Sequence, residues 1–248
     1  PVSNDLGKTI HKVFQIPSAK IQTVTNGVNT KEFKPIPKKV AIKTLKKNLS
    51  QKVVGEGGIV GFMGEVAPWQ GVETFIEAAP IVLREFPETR FLIIGGLKTN
   101  KTRQELIDKI KRKIERKGLK DSILITGQRP HQEMPLFLSL CDILTAPFSE
   151  AGYKWNYGFS PLKIFEYLAM GKPVIATDLP WIKELINNQN GLIIPPADPK
   201  ALAGAICELF NNPHTMENLG INARRQAEKK LDWVVIAKQL LQIYAKML

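Results

Sequence analysis

The chain has few of the residues on which several common kinds of site depend. Its 248 residues include only two cysteines and three histidines. Cys141 and Cys207 lie among apolar neighbours without CxxC spacing, so we expect two buried free thiols in a reducing compartment. His11, His131 and His214 are scattered, with no metal-ligand spacing and no serine elbow. We expect all three histidines at the surface, and no metal site.

Long apolar runs are absent as well. No stretch approaches eighteen consecutive apolar residues, and no basic segment followed by an apolar one opens the chain. We therefore expect a cytoplasmic protein with no export signal. Because 44% of the residues are hydrophobic, the chain can build one large domain or one domain with appendages, and disordered or fibrous classes are excluded.

Acidic residues are too few to balance the basic ones. The chain has 35 Lys and Arg against 23 Asp and Glu, for a net charge of +12. Much of the excess lies in residues 98–120, which are predicted to form one helix with Ile107, Ile110 and Ile114 on its buried face. No aromatic residues are interleaved with the basic ones and no nucleic-acid motif is present, so no nucleic-acid partner is expected. An anionic membrane surface and a simply solvated helix remain as alternatives.

Short apolar runs alternate with longer helical patterns from residue 58 onward. This alternation is typical of parallel strands joined by helices. It predicts an α/β fold with a doubly wound parallel sheet, Rossmann-like, whose ligands bind at the carboxyl ends of the strands. The predicted strands lie near 58–63, 90–95, 122–126, 142–146, 173–176 and 191–194. The predicted helices lie near 71–86, 100–117, 131–139, 160–170, 180–186, 198–211, 213–229 and 232–246.

Residues 1–35 stand outside this alternation. We predict a helix over 3–16, a short strand over 21–25 and a turn at Asn26 and Gly27. Pro35, Pro37 and the lysine-rich residues 38–47 then lead into the domain formed by residues 36–248.

The most informative stretch is residues 158–178, GFSPLKIFEYLAMGKPVIATD. Ser160 is a good N-cap and Pro161 suits the first helical position, so a helix is predicted to begin there. Lys163 and Glu166 are three apart and lie on one face near the helix start. A lysine at this place opposes the helix dipole, which favours a bound phosphate as its counter-charge. A solvated Lys–Glu pair is the alternative.

The same stretch resembles the second half of the nucleotide-binding motif of the retaining glycosyltransferases of family 4, also called glycosyltransferase group 1, which have the GT-B fold. Further segments match the family's order and approximate spacing, so the resemblance covers nearly the whole chain; they are residues 24–35, 59–65, 71–79, 91–96, 123–127 and 191–198. It implies that residues 1–35 are the remnant of an N-terminal domain and the interdomain linker. Residues 36–248 would be the C-terminal nucleotide-sugar-binding domain, one half of the GT-B architecture.

The resemblance also implies a nucleotide-sugar site built from three regions. Glu166 would accept hydrogen bonds from the ribose hydroxyls, and the helix start before it would bind phosphate. The loop from Gly64 to Gly71 would bind the diphosphate through backbone amides. The glycines after the second strand would allow a ligand to approach the backbone closely, although an ordinary turn explains them nearly as well. The loop after the third strand would meet the base, with a solvated Arg129 as the alternative. The residues assigned in this way are Gly64, Gln70, Gly96, Arg129, Met134, Ser160, Pro161, Lys163 and Glu166.

Three positions depart from the family's pattern. Glu65 stands where many members have an arginine, and Gln70 stands where many have a lysine. Gly158 occupies the place of the first glutamate of the E-x7-E motif, which is usually linked to the donor sugar. The aromatic loop over 149–158 could close over that sugar or shield the end of the sheet.

The resemblance implies transfer of a hexose or similar sugar from a nucleotide-sugar to a glycan or lipid-linked acceptor. Configuration would be retained, and neither a metal nor another cofactor would be needed. Lipid-linked acceptors make an anionic membrane the better partner for the basic helix. Because of the three departures, an inactive nucleotide-sugar-binding or regulatory subunit is the alternative, and a GT-B epimerase is a third. No catalytic residue is assigned, and the chain alone is expected to bind donor weakly and transfer nothing.

Overall fold

The fold is that of a computed structural model, which describes residues 1–45, 57–96, 101–149 and 160–246, with the side chains of 101–103 left out. The expectations for Gly158, for the loop beyond Ser149 and for the start of the basic segment at 98–100 lie outside these residues.

A parallel sheet forms the centre of the described chain. Its six strands are β1 Ile59–Met63, β2 Arg90–Ile94, β3 Ile123–Ile125, β4 Ile143–Ala146, β5 Val174–Thr177 and β6 Gly191–Ile194. They are ordered β3-β2-β1-β4-β5-β6, and every neighbouring pair is parallel. β1, β4 and β5 are buried throughout, as expected for parallel strands that helices cover on both faces. The predicted fold class is confirmed.

The helices follow the predicted pattern closely. They are α1 Asn4–Phe14, α2 Lys38–Leu45, α3 Val72–Glu85, α4 Lys101–Arg116, α5 Met134–Leu140, α6 Leu162–Ala169, α7 Pro180–Lys183, α8 Pro199–Asn211, α9 Pro213–Gln226 and α10 Trp233–Ala245. A π-helical turn, Ala227–Leu231, joins α9 to the segment before α10. Among the described residues, no helix has the length and apolar character needed to span a membrane.

The direction in which strands are added reverses between β1 and β4. From β1 the chain adds β2 and β3 on one side, and then returns to add β4, β5 and β6 on the other. At such a reversal the connections leave the sheet in opposite directions and open a crevice outside the carboxyl ends of the strands. Gly64 follows β1 and Pro147 follows β4, so both lie at this crevice.

Alternate residues of the strands pack into two cores, one on each face of the sheet. Met63, Leu144 and Ala176 belong to the core that includes α5 and α6. Phe62 and Ile175 belong to the core that includes α3 and α8. The period of two along each strand explains this division. Helix α6 therefore packs in the same core as α5, on one face of the sheet.

The N-terminal segment contains one wrong prediction. Residues 21–25 form no strand, since their backbone pairs with no neighbouring strand. Val28 instead forms an isolated bridge with Asp232, and Thr30 donates to the carboxylate of Asp232 from its backbone N at 3.2 Å and from its hydroxyl at 2.5 Å. The β-branched residues that favoured a strand thus lie in an extended connection. The predicted helix of this segment is confirmed, with Ser3 as its N-cap.

The basic helix α4 packs on α3 with the predicted face. Ile110 and Ile114 are buried. Lys113 Nζ lies 3.0 Å from Glu73 Oε2 and 2.9 Å from Glu77 Oε1. Hydrogen bonds from the lysines of α4 and the following residue Lys117 hold the pKa values of both carboxylates below their ordinary value. Part of the positive charge of this segment is therefore balanced within the fold.

Both cysteines are free thiols, as predicted. Cys141 is buried and burial raises its pKa to about 12, whereas Cys207 is only half-buried and its pKa is raised to about 11, again chiefly by burial. Neither is poised as a thiolate nucleophile. In the described part of the chain, no group of three or more His, Cys, Asp or Glu residues could hold a metal ion.

Candidate functional site

Helix α6 is tied to the end of β1 by a buried tyrosine. Met63 N donates to Tyr167 Oη at 2.7 Å, and burial raises the pKa of Tyr167 well above its ordinary value. Lys163 lies four residues before Tyr167 and so on the same face of α6. This hydrogen bond therefore places Lys163 beside the loop that follows β1.

The start of α6 differs from the prediction. Its first residue is Leu162, and Pro161 occupies the N-cap position with extended backbone. Ser160 does not cap the helix; its hydroxyl accepts from Asn26 Nδ2 at 3.0 Å. The predicted cap was wrong because Asn26, 134 positions earlier in the chain, donates to the hydroxyl, and local sequence cannot show such a contact. Ser160 and Pro161 nevertheless remain at the candidate site.

Lys163 is the most unusual charged residue of the site. It is only 8% exposed, and its Nζ donates to Gln70 Oε1 at 2.5 Å. The ammonium also lies 4.6 Å from the ring centroid of Phe62 and 4.5 Å from that of Phe148. Burial lowers the pKa of Lys163 to about 7. Among the described residues, no carboxylate forms an ion pair with it, so the solvated Lys–Glu pair is not what forms here.

The loop after β1 approaches this lysine closely because it contains glycines. Gly64 has φ of +149°, and a Cβ there would lie 3.2 Å from Lys163 Nζ. Gly71 has φ of +75°, and a Cβ there would lie 1.6 Å from the carbonyl oxygen of Pro147. Side chains at either position would separate elements that the site brings together.

A cavity of ≈ 500 Å³ opens at this place. It brings together five of the predicted residues, and it is lined by Asn26, Met63, Gly64, Gln70, Ser160, Pro161, Leu162 and Lys163. Two further cavities have volumes of ≈ 570 Å³ and ≈ 640 Å³. The first lies beside the N-terminal segment and α9 and is also bordered by Ser160, and the second lies near Asp142 and Pro173 at the amino ends of the strands. We favour the smaller cavity because it lies at the crevice and contains the buried lysine.

Glu166 lies one turn further along α6 and has a different partner. Its Oε1 lies 2.8 Å from His131 Nε2, and the residue is only 9% exposed. Burial raises the pKa of Glu166, while the bond to His131 lowers it. The pKa of Glu166 is raised overall. Glu166 is therefore a buried acid whose ionised form is stabilised only in part by His131.

The loops after β2 and β3 are joined to each other. Gly95 forms an isolated bridge with Gly127, and Gly95 N donates to Thr126 Oγ1 at 3.2 Å. Gly96 is half-buried beside this junction.

The structure does not bring Arg129 and Met134 to the cavity of Lys163. Arg129 Nε donates to Thr126 O at 3.2 Å, and its guanidinium lies 5.5 Å from the ring centroid of Phe137. Met134 is 6% exposed and belongs to the core beneath α5 and α6. Base contacts by these two residues, and a close approach of the ligand to the backbone of Gly96, stay predictions.

Sequence reasoning missed two residues of the site. Asn26 was assigned only to a turn, yet it lines the cavity and binds Ser160. His131 was expected to be a surface histidine, and although its side chain is 61% exposed it contacts Glu166. The available signal was its place just after β3, since the carboxyl ends of parallel strands meet at one edge of the sheet.

The lowered pKa of Lys163 predicts a pH dependence of stability. In the unfolded chain Lys163 titrates near an ordinary lysine, so between about pH 7 and pH 10 the unfolded state binds one more proton than the folded state. The free energy of unfolding should therefore rise with pH in this window, by up to about 1.4 kcal/mol per pH unit from this group. Lys163→Met should remove that rise.

Urea denaturation of wild type and Lys163→Met at pH 6.5, 8 and 9.5 measures this effect. Lys111→Met, at an exposed position of α4, is the matched control and should track the wild type. A difference between wild type and Lys163→Met that is constant across the three pH values would contradict the account.

Comparison with known proteins agrees with this geometry. A family profile described as "Glycosyl transferases group 1" matches residues 57–212. The chain belongs to this family. The match begins just before β1 and ends after α8, so it includes every strand of the sheet and the whole of α6. The resemblance identified from residues 158–178 is confirmed.

Two curated relatives show how much of a longer protein the chain corresponds to. The alpha-D-kanosaminyltransferase of Streptomyces kanamyceticus is 28% identical over 189 residues, which are 75% of this chain and 45% of that protein. The D-inositol 3-phosphate glycosyltransferase of Thermobispora bispora is 24% identical over 243 residues, which are 96% of this chain and 53% of that protein. The chain thus spans about half the length of these relatives.

Solved structures share the fold. Anabaena HepE in complex with UDP gives a TM-score of 0.79 at 21% identity and covers 92% of this chain and 58% of that one. The C-terminal domain of a group 1 glycosyl transferase (LpcC) from Francisella tularensis gives a TM-score of 0.68 at 21% identity, with 84% of this chain and 100% of that chain covered. At these identities the likeness shows a common fold.

Proposed function

We propose that this chain is the donor-binding part of a retaining hexosyltransferase, which moves a sugar from a nucleotide-sugar to a glycan or lipid-linked acceptor. The observation that carries the proposal is Lys163, a buried lysine with a neutral hydrogen-bond partner at the start of α6. No carboxylate among the described residues contacts Lys163, so its ammonium form has no paired counter-charge. A diphosphate in the adjoining cavity would supply one.

The local backbone adds to this preference for an anion. The cavity borders the first residues of α6, Leu162 and Lys163, and the amides and dipole of a helix start favour negative charge. Gly64 leaves space for a phosphate to approach the loop after β1. We propose that Lys163 and these amides take the place of the arginine and lysine that the family often has in that loop. This arrangement needs no metal ion.

Glu166 is proposed to bind the ribose of the donor. Its carboxylate lies one turn from Lys163 along α6, and an ionised carboxylate can accept hydrogen bonds from both hydroxyls of a diol. Anabaena HepE has been solved with UDP and with UDP-glucose, which makes a uridine diphosphate sugar one candidate donor. The non-catalytic alternative is not favoured, because the relatives above are named as transferases.

Binding calorimetry of the 248-residue chain tests the proposal. UDP, GDP and ADP, each with and without a sugar, are titrated into the chain at fixed ionic strength. We expect one base to bind measurably, with the nucleoside diphosphate tighter than its nucleoside. If none of the nucleotides binds, the proposed function is wrong.

We further expect the chain on its own to bind donor without transferring sugar. The chain spans about half the length of the relatives above, and we expect the acceptor groups of a GT-B enzyme in its other domain. Incubation of the chain with radiolabelled nucleotide-sugar and a panel of glycan and lipid acceptors should give no labelled product. Labelled product that co-purifies with the chain and is lost in Glu166→Ala would contradict the division into halves.

A further inference from the structure

We propose that His131 is a positioning residue, which holds the carboxylate of Glu166 in place for the ribose diol of the donor. This inference rests on the function proposed above. His131 Nε2 lies 2.8 Å from Glu166 Oε1. With the carboxylate ionised, Nε2 carries the proton and donates, because an ionised carboxylate can only accept.

Glu166 needs such a donor because its surroundings oppose its charge. Burial disfavours the ionised form, and the nearby carboxylate of Glu32 acts in the same direction. His131 and Lys163 act in the opposite direction, and His131 is the one that contacts the carboxylate. Without it, Glu166 would bind a proton more readily and would become a poorer acceptor for two hydroxyls.

His131 is itself held in place from the linker side. Its ring centroid lies 5.2 Å from that of Phe33, at an interplanar angle of 54°. Phe33 is 2% exposed and belongs to the same core as α6. The turn that His131 begins leads directly into α5, whose residues Phe137 and Leu138 are buried in that core. The ring contact with Phe33 and the bond to Glu166 therefore hold the imidazole beside the carboxylate, although most of its surface faces outward.

The carboxylate of Glu166 has enough acceptor sites to bind His131 and the ribose diol at the same time. Each oxygen of a carboxylate accepts at two sites. The bond from His131 uses one site on Oε1, so Oε1 and Oε2 can each still accept from one ribose hydroxyl. The histidine and the diol are thus compatible partners of the same carboxylate, and the first orients it for the second.

The test compares two ligands on three variants of the 248-residue chain. The probe is UDP, GDP or ADP, whichever binds the wild type most tightly, together with its 2′,3′-dideoxy analogue. His131→Ala removes the donor, and His131→Gln keeps an N–H donor of similar reach. His214→Ala, at an exposed position on α9, is the matched histidine control.

We expect His131→Ala to weaken binding of the ribonucleotide by roughly tenfold or more, the size of one hydrogen bond to a charged group. Binding of the dideoxy analogue should change little, and His131→Gln should recover most of the loss. In a Glu166→Gln background, His131→Ala should add almost nothing, because the two residues act as a unit.

Two results would overturn the inference. One is an equal loss for the ribonucleotide and its dideoxy analogue, which would make His131 a fold residue or a contact to the base or phosphates. The other is full additivity of the His131 and Glu166 substitutions. Wild-type chain that binds no nucleoside diphosphate would instead overturn the proposed function, and the inference with it.

Discussion

Replacing Glu166 with alanine should weaken the binding of a nucleoside diphosphate by at least about tenfold. Hydrogen bonds to charged groups contribute roughly 1.5–3 kcal/mol each, and a ribose diol offers two. Glu166 is nearly buried on α6, three residues after Lys163, so its loss removes the acceptor that we propose for the diol. Isothermal calorimetry against the tightest-binding nucleoside diphosphate measures the change.

The dideoxy analogue separates a contact from a folding defect. If Glu166 binds the diol, then Glu166→Ala should leave the affinity for the 2′,3′-dideoxy nucleotide nearly as it was. Thermal denaturation of the variant should also show a single cooperative transition. Unchanged affinity for the ribonucleotide would refute the assignment of Glu166.

Replacing Lys163 with methionine should cost far more affinity for a nucleoside diphosphate than for the nucleoside. One partly desolvated ammonium–phosphate pair contributes about 2 kcal/mol, or roughly thirtyfold in affinity. Methionine keeps the length and the apolar stem of the side chain, which packs between the rings of Phe62 and Phe148. The fold should therefore tolerate the change while the charge is lost.

Gln70→Ala is the matched control for Lys163. In the ligand-free chain Gln70 Oε1 accepts from Lys163 Nζ. A phosphate that binds the lysine would replace the amide oxygen as the acceptor of this hydrogen bond. Loss of the amide should cost little affinity for either ligand. If Lys163→Met weakened the nucleoside and the nucleoside diphosphate equally, the lysine would be supporting the fold and not the phosphate.

The fold could be predicted from the sequence because its signals are local. Each strand is a short apolar run, and each connecting helix has a stripe of period 3.6, as Ile110 and Ile114 show for α4. The six strands predicted from residue 58 onward overlap the six of the structure, and every bound agrees within one residue. The strand over residues 21–25 was the exception, because β-branched residues favour extended backbone whether or not a partner strand is present.

Site residues could be predicted as neighbours only where they lie close together in the sequence. Lys163 and Glu166 share a helix, so their spacing indicated a common face. Contacts between distant segments could not be predicted. Ser160 binds Asn26 instead of capping α6, and Glu166 binds His131, which is 35 residues away in the chain. Such pairs depend on tertiary packing, which no local pattern encodes.

The position of the bound nucleotide tests the central claim most directly. A crystal structure of the chain with its tightest-binding nucleoside diphosphate should show the phosphates beside Lys163 and Gly64, and the ribose hydroxyls on Glu166. The cavity of ≈ 570 Å³ between the N-terminal segment and α9, which Ser160 also borders, is one alternative site. A nucleotide bound there, with Lys163 still donating to Gln70 and Glu166 without a ribose, would contradict the account.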